Sequence, residues 1–283
     1  RAHWLVPLLH GEPYYHKPSP FYWQLILAYR FLGVSELAAR LPSVLATLGA
    51  LAVVHRHTLH RFGRRAAALA GIIYLTSPEV FVLGRFCNLD ATLTFFLCAA
   101  SAAWLAWLDS ASEDSRKRDL AWIFMALGTL AKGPVAVVIP SLVLVGSSLR
   151  RARLVASLKA CRPMRGACIG VAVVGPWLLA ARHADPKYIE TFLLQHNLQR
   201  FASVEADHAA GPFYFFPVLL AGFFPWSLLL PLGWLLRNQP EAEPGRGGAR
   251  ADALLWSGIV VGFFTISRGK LGSYILPAFS GLA

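Results

Sequence analysis

The chain has 283 residues, 56% of them hydrophobic and only 15% charged, with a net charge of +12 and a mean hydropathy of +0.50. A water-soluble domain carries about 25% charged residues to cover its exterior, so a soluble globular protein, a disordered chain and a coiled coil are all excluded. The cations would fit nucleic-acid binding only if they shared one water-exposed face; instead they sit between apolar runs, which is a membrane pattern.

In chain order, residues 1–36 form a first polar region. Within it, 21–32 is apolar and aromatic but too short to cross a bilayer, and Lys17, Pro18 and Pro20 precede it. This predicts an interfacial helix with Phe21, Tyr22, Trp23 and Tyr29 at headgroup level. Apolar stretches follow at 37–54, 66–83, 91–108, 120–131, 135–149 and 167–181, then at 213–236 and 253–266, and a ninth begins near Tyr274. At ~1.5 Å per residue and ~30 Å of hydrocarbon, roughly 20 residues make one crossing, so most stretches fit one span. The run 120–149 would reach ~45 Å and is interrupted by Lys132, Gly133 and Pro134, which predicts two short spans turning at Lys132. The piece 182–212 reads as an external loop with a short helix around 188–201. The Pro- and Gly-rich 238–250 reads as a flexible internal linker.

The fold class expected is therefore all-α: a polytopic transmembrane helical bundle with extracytoplasmic juxtamembrane helices and loops. It divides into 1–36 (external juxtamembrane region), 37–181 (spans), 182–212 (external loop) and 213–283 (spans). Arg1 is not an initiator and the ninth stretch stops at Ala283. The expectation is a fragment of one larger membrane domain, lacking its first span and its C-terminal part.

Charge placement tests the span count, because short cytoplasmic loops are enriched in Lys and Arg. Loops 55–65, 109–119, 150–165 and 237–250 hold 16 of the 27 Lys and Arg residues, and these are placed inside. The remaining connections are then external, and they gather Glu12, His16, Lys17, Arg85, Asp90, Lys132, His196, Asn197, Arg200, Arg268, Lys270 and Tyr274. Each cation there either snorkels to lipid phosphates or lines a cavity. Their company with Asp, His, Tyr, Pro and Gly favours a cationic cavity suited to a phosphate attached to a lipid. Lys132, between two apolar stretches, needs a partner or water and should line that cavity or hold a carboxylate. Asp90 caps its helix, pairs with Arg85, or acts as an acid that binds the acceptor or orients a cation. His196, Asn197 and Arg200 share a face if their loop is helical, or else belong to a solvated amphipathic loop. His55, His57 and His60 mix faces and abut Arg56 and Arg61, which argues against a metal there. The four cysteines form no CxxC pair, so no thiolate metal site is implied.

Several separate segments resemble one family. WLVPLLHGEPYYHKPSPFYW followed by GVSELAARLPS, then GRFCNLDATL, LAKGP, QHNLQRF with GPFYFFPVLLAGFFPW, and SRGKLGSYILP are similar to bacterial aminoarabinose transferases of lipid A. The same segments resemble their relatives, the protein O-mannosyltransferases of the GT-C superfamily. The resemblance implies a GT-C-like fold and an inverting glycosyltransferase of the inner (plasma) membrane, with its active site on the periplasmic face and a sugar on undecaprenyl phosphate as donor. It assigns Lys17, Arg200, Lys270 and Tyr274 to the donor phosphate, Asp90 to a supporting catalytic role, and His16, Arg85, Lys132, His196 and Asn197 to the cavity or acceptor. The family's main catalytic acid would lie upstream of Arg1. His16, Lys17, Pro18 and Ser19 stand where relatives commonly read Glu-Lys-Pro-Pro, which keeps the cation and replaces the acid by an imidazole. No cofactor is assigned; a divalent metal is compatible with the family, with no ligands assigned.

The leading function is transfer of aminoarabinose to lipid A. The alternative within the family moves mannose or another hexose to protein or glycan. A secondary transporter is the reading from another class, but transporters tend to show internal repeats and a midplane site, whereas this chain has no repeat and gathers its polar residues on one side. The expected partners are the lipid-linked donor, the lipid A, protein or glycan acceptor and membrane lipids, without nucleic acid.

Overall fold

The computed structural model describes residues 4–110, 114–191, 210–235 and 246–283. It opens with a hairpin of β1 (Leu8–Leu9) and β2 (Glu12–Pro13), with Leu9 opposite Glu12. The turn between them uses His10 and Gly11, both at positive φ. Helix α1 (Ser19–Leu32) starts behind Pro18 and ends at Gly33. Its 14 residues are too few to cross a bilayer, as its sequence suggests.

The apolar stretches then fold as helices: α2 (Glu36–Phe62), α3 (Arg64–Thr76), α4 (Pro78–Leu83), α5 (Leu89–Asp109), α6 (Ser115–Lys132), α7 (Val135–Arg150), α8 (Leu154–Ala160), α9 (Pro163–Ala184) and α10 (Pro186–Glu190). After the next described segment begins come α11 (Phe215–Gly222), a 3-10 turn (Trp226–Leu229), α12 (Leu230–Leu235), α13 (Arg246–Ile266), a second 3-10 turn (Gly272–Ala278) and α14 (Phe279–Leu282). The starts follow local chemistry. Ser35 accepts a hydrogen bond from the Ala38 N–H, Asn88 from that of Ala91, and Asp114 from those of Arg116 and Lys117, each satisfying otherwise orphaned donors of a first turn.

The all-α bundle stands, with corrections to individual elements. The stretch 66–83 is two helices, because Pro78 cannot supply the amide that would continue α3. The stretch 213–236 is likewise broken around Pro225, and its two halves meet at 103°. Residues 55–62, expected in a loop, extend α2 to Gly63, and residues 246–250, expected in the linker, begin α13. Among the described residues, four helices are long and apolar enough to cross a membrane singly: Glu36–Phe62, Leu89–Asp109, Pro163–Ala184 and Gly248–Ile266. The rest of the predicted linker and most of the helix predicted around 188–201 lie outside the described residues.

An ion network fixes which helix ends lie together. Asp252, fully buried, accepts from Arg61 (3.0 Å), Arg150 (2.9 Å), Arg151 (2.7 Å) and the Ser147 hydroxyl (3.0 Å). Asp109 pairs with Arg61 and Arg151. The network gathers the C-terminal ends of α2, α5 and α7 and the start of α13. The opposite ends of these four helices therefore face the other pole, where the Ser43 hydroxyl of α2 bridges to the Asn88 backbone before α5. Between the poles, Leu97, Ile139, Val260 and Phe279 fill one core and Trp104, Trp107 and Met125 another, all essentially inaccessible. Lipid is as apolar as these side chains, so shape complementarity between helices holds them more than exclusion of water does.

Candidate functional site

The pole opposite the Asp252 network carries Asp90, Lys132 and Lys270 of the charged residues that the sequence singles out. Helix α6 ends at Lys132 because Gly133 takes φ 108°, a conformation that strains any side chain, and Pro134 then leads into α7. The Lys132 ammonium is thereby aimed at the first turn of the antiparallel α5, where it forms an ion pair with Asp90. Both side chains are largely buried, 13% and 15% exposed, so the pair is held away from water. On its other side Lys132 Nζ sits 4.3 Å from the centre of the Tyr274 ring, a cation–π contact. Lys132 thus holds a carboxylate, one of the outcomes expected from its sequence. Asp90 is neither the cap of α5, which is Asn88, nor a partner of Arg85. The exposed Arg85 guanidinium instead lies 3.6 Å from the centre of the Phe81 ring.

Tyr274 stands on the 3-10 turn Gly272–Ala278 that follows α13. Just before it Lys270 is buried, and its Nζ donates to the Ser267 carbonyl at 2.6 Å. Among the described residues no carboxylate pairs with Lys270. An ammonium carries three donors and a full charge, and one neutral carbonyl leaves most of that charge uncompensated.

A second cluster surrounds Lys17. The Tyr188 hydroxyl donates to the Lys17 backbone carbonyl at 2.7 Å, and Trp177 Nε1 donates to the Ser19 hydroxyl at 2.7 Å. The Tyr15 hydroxyl donates to Asp185 at 2.5 Å, which also caps α10. That bond to a carboxylate favours the neutral phenol and pushes the Tyr15 pKa up to about 12; burial does the same for Tyr188. These contacts moor the segment ahead of α1 to the end of α9. His16 is exposed and stacks on Tyr14 with ring centres 4.7 Å apart. Arg200, His196 and Asn197 lie outside the described residues. The structure therefore gathers Asp90, Lys132 and Tyr274 in direct contact, places Lys270 on the segment leading to Tyr274, and ties Lys17 into the second cluster.

One residue that sequence reasoning passed over is Glu79. Its carboxylate lies within electrostatic reach of Asp90 and packs against Gly222 and Gly272. The signal was an acid inside the apolar stretch 66–83, a position where ionisable groups are costly. Among the described residues, no three His, Cys, Asp or Glu side chains converge to hold a metal.

A family model described as dolichyl-phosphate-mannose-protein mannosyltransferase matches residues 16–179, from the Lys17 segment through α9. The chain belongs to this family. Similar curated members include the undecaprenyl phosphate-α-4-amino-4-deoxy-L-arabinose arabinosyl transferase of Pectobacterium carotovorum, 34% identical over all of this chain and 50% of the relative. The enzyme of the same description from Aeromonas salmonicida is 33% identical over 99% of this chain and 51% of its own length. The chain thus spans about half the length of the curated relatives it matches. Among solved structures, it superposes on ArnT from Cupriavidus metallidurans bound to undecaprenyl phosphate with a TM-score of 0.86 and 27% identity, covering 99% of this chain and 50% of that one. The apo form gives 0.84 and 26% with the same coverage.

Proposed function

We propose that this chain is part of an inverting glycosyltransferase that moves a sugar from undecaprenyl phosphate to an extracytoplasmic acceptor, with 4-amino-4-deoxy-arabinose as the sugar and lipid A as the acceptor. All of 1–283 belongs on this reading to one GT-C-like transmembrane domain of the inner membrane, and the pole bearing Lys132 faces the periplasm. Buried Lys270, lacking a carboxylate among the described residues, is the observation that carries the proposal, because it calls for an anion that none of those residues supplies. A lipid phosphate meets that need.

In the reaction an acceptor oxygen bonds to the anomeric carbon while the bond from that carbon to the phosphate oxygen breaks, leaving undecaprenyl phosphate. Negative charge grows on the departing phosphate. On this reading Lys17, Arg200, Lys270 and Tyr274 donate to the charge that develops there. Lys132 is neutralised by Asp90, so this pair positions Tyr274 through the ring contact rather than adding net charge. A lipid A phosphate is already anionic as an acceptor and requires little base catalysis.

Membranes containing the protein, incubated with labelled undecaprenyl-phosphate aminopentose and with either lipid A or peptide acceptors, test the proposal. Label is expected on lipid A. Transfer of a hexose to peptide would replace the substrate assignment with the mannosyltransferase alternative, and no transfer from any lipid-linked donor would overturn the glycosyltransferase reading itself.

A further inference from the structure

We propose that Glu79 is the specificity residue that receives the ammonium group of an amino sugar carried on the donor lipid. The inference rests on the reading of this pole as a lipid-linked amino-sugar site and adds the residue that selects the sugar's amine.

The local fold builds a place for this carboxylate. Pro78 ends the run of α3, and the turn that follows brings Glu79 between α11 and the 3-10 turn bearing Tyr274. Both neighbours meet it with glycine. A Cβ on Gly222 would lie 2.9 Å from the Glu79 Cβ and 3.2 Å from Oε2, and one on Gly272 would lie 3.7 Å from Oε1. At Gly222 the side chain therefore fits only because the helix facing it has no Cβ there. From Gly272 the chain leads within two residues to Tyr274, whose ring touches Lys132, which in turn pairs with Asp90. Glu79 thus borders the cluster already described.

Among the described residues its charge has no complement. Asp90, its charged neighbour, is also acidic. Of the cations at this pole, Lys132 pairs with Asp90, Lys270 donates to the Ser267 carbonyl and Arg85 lies over the Phe81 ring, and none of them pairs with Glu79. Among the described residues, no ion pair and no hydrogen bond reaches the Glu79 carboxylate. A half-buried carboxylate with a like charge beside it and no donor is costly for the protein alone. A ligand bringing a cationic donor removes that cost. A protonated amine supplies the charge and up to three N–H donors, whereas a hydroxyl supplies one neutral donor. Asp90 cannot make the same selection, since Lys132 has already neutralised it. Glu79 and Lys270 then present complementary groups to one zwitterionic donor, its sugar cationic and its lipid phosphate anionic.

The test compares two donors, undecaprenyl-phosphate aminopentose and the same compound with its amine formylated and therefore neutral, using the full-length protein in membranes. Wild-type protein is expected to prefer the free amine. In Glu79→Gln, kcat/KM for the amine donor should fall by about 10- to 100-fold, the range for losing a charge-assisted hydrogen bond. The formylated donor should change by no more than about twofold, so the preference collapses. Glu79→Asp keeps the charge and should retain part of the preference; if Glu79→Gln fails to accumulate, Glu79→Ala takes its place at matched protein level, with a collapsed preference expected and an undiminished one overturning the role. Binding of sugar-free undecaprenyl phosphate should be equal in wild type and both variants. An undiminished preference in Glu79→Gln, or an equal loss with both donors, overturns the role of Glu79. If wild-type protein transfers neither donor, the underlying reading of the site falls instead.

Discussion

Replacing Lys132 by Met keeps most of the side-chain volume while removing the ammonium, and so isolates the ion pair with Asp90. With both partners only 13% and 15% exposed, the variant leaves a carboxylate at the end of α5 in a poorly hydrated place. Breaking a buried pair from one side costs about 3–5 kcal/mol. The residual exposure of both groups puts this case near the lower figure, and loss of the Tyr274 ring contact adds roughly 1 kcal/mol. At ~2–4 °C per kcal/mol for a chain of this size, Lys132→Met should melt roughly 8–16 °C below wild type. The double variant Lys132→Met with Asp90→Asn removes the stranded charge as well and should recover at least ~2 kcal/mol, so the two substitutions are strongly non-additive. Thermal unfolding in detergent, followed by tryptophan fluorescence, measures all four corners of the cycle. A single variant as stable as wild type, or a double variant no more stable than the single, would refute the claim that the charges compensate one another.

At the opposite pole, Asp252→Ala leaves Arg61, Arg150 and Arg151 facing one another without their shared carboxylate and should lower stability by more than ~3 kcal/mol in the same unfolding measurement. Transfer per folded molecule should stay near wild type, because the network lies far from the Lys132 pole. Lys270→Ala should reduce transfer by roughly 100-fold or more, the scale for removing one donor to developing charge, while the melting curve moves much less than for Lys132→Met. Tyr15→Phe removes the hydrogen bond to Asp185 and should cost about 1–2 kcal/mol at neutral pH. Because the folded-state pKa of Tyr15 is raised, to about 12 from 10.0, that contribution is full below pH 10 and vanishes as pH rises through 12. Phenolate absorbance should show one fewer late-titrating tyrosine in the variant.

Much of the architecture is legible in one dimension. Apolar run length announces helices, and the 16 Lys and Arg residues in alternate loops separate two poles before any coordinate is known. Lys132 is marked as a residue in need of a partner by its apolar flanks alone. Asn88, two positions before Asp90, shows where reading by residue type falls short: both side chains suit a helix start, and the cap goes to the one that reaches the Ala91 amide while the other turns to Lys132. Pro225 inside an apolar stretch reads as a kink and is one, whereas Pro78 is visible as a residue but not as a break, because proline in a membrane helix is tolerated where neighbours satisfy the freed backbone groups.

Sequence by itself determined that the chain is a bundle of apolar helices, which residues are ionisable, and that Lys132 lies away from the basic loops, since these follow from composition and from order along the chain. Only tertiary structure decided the partners: Asp90 meets Lys132 from 42 positions away, Asp252 meets Arg61 from 191, and Glu79 is flanked by two glycines from different segments. A direct ion pair needs its charged atoms within about 4 Å, so it depends on which helix ends packing brings together, and no local pattern along the chain encodes that choice.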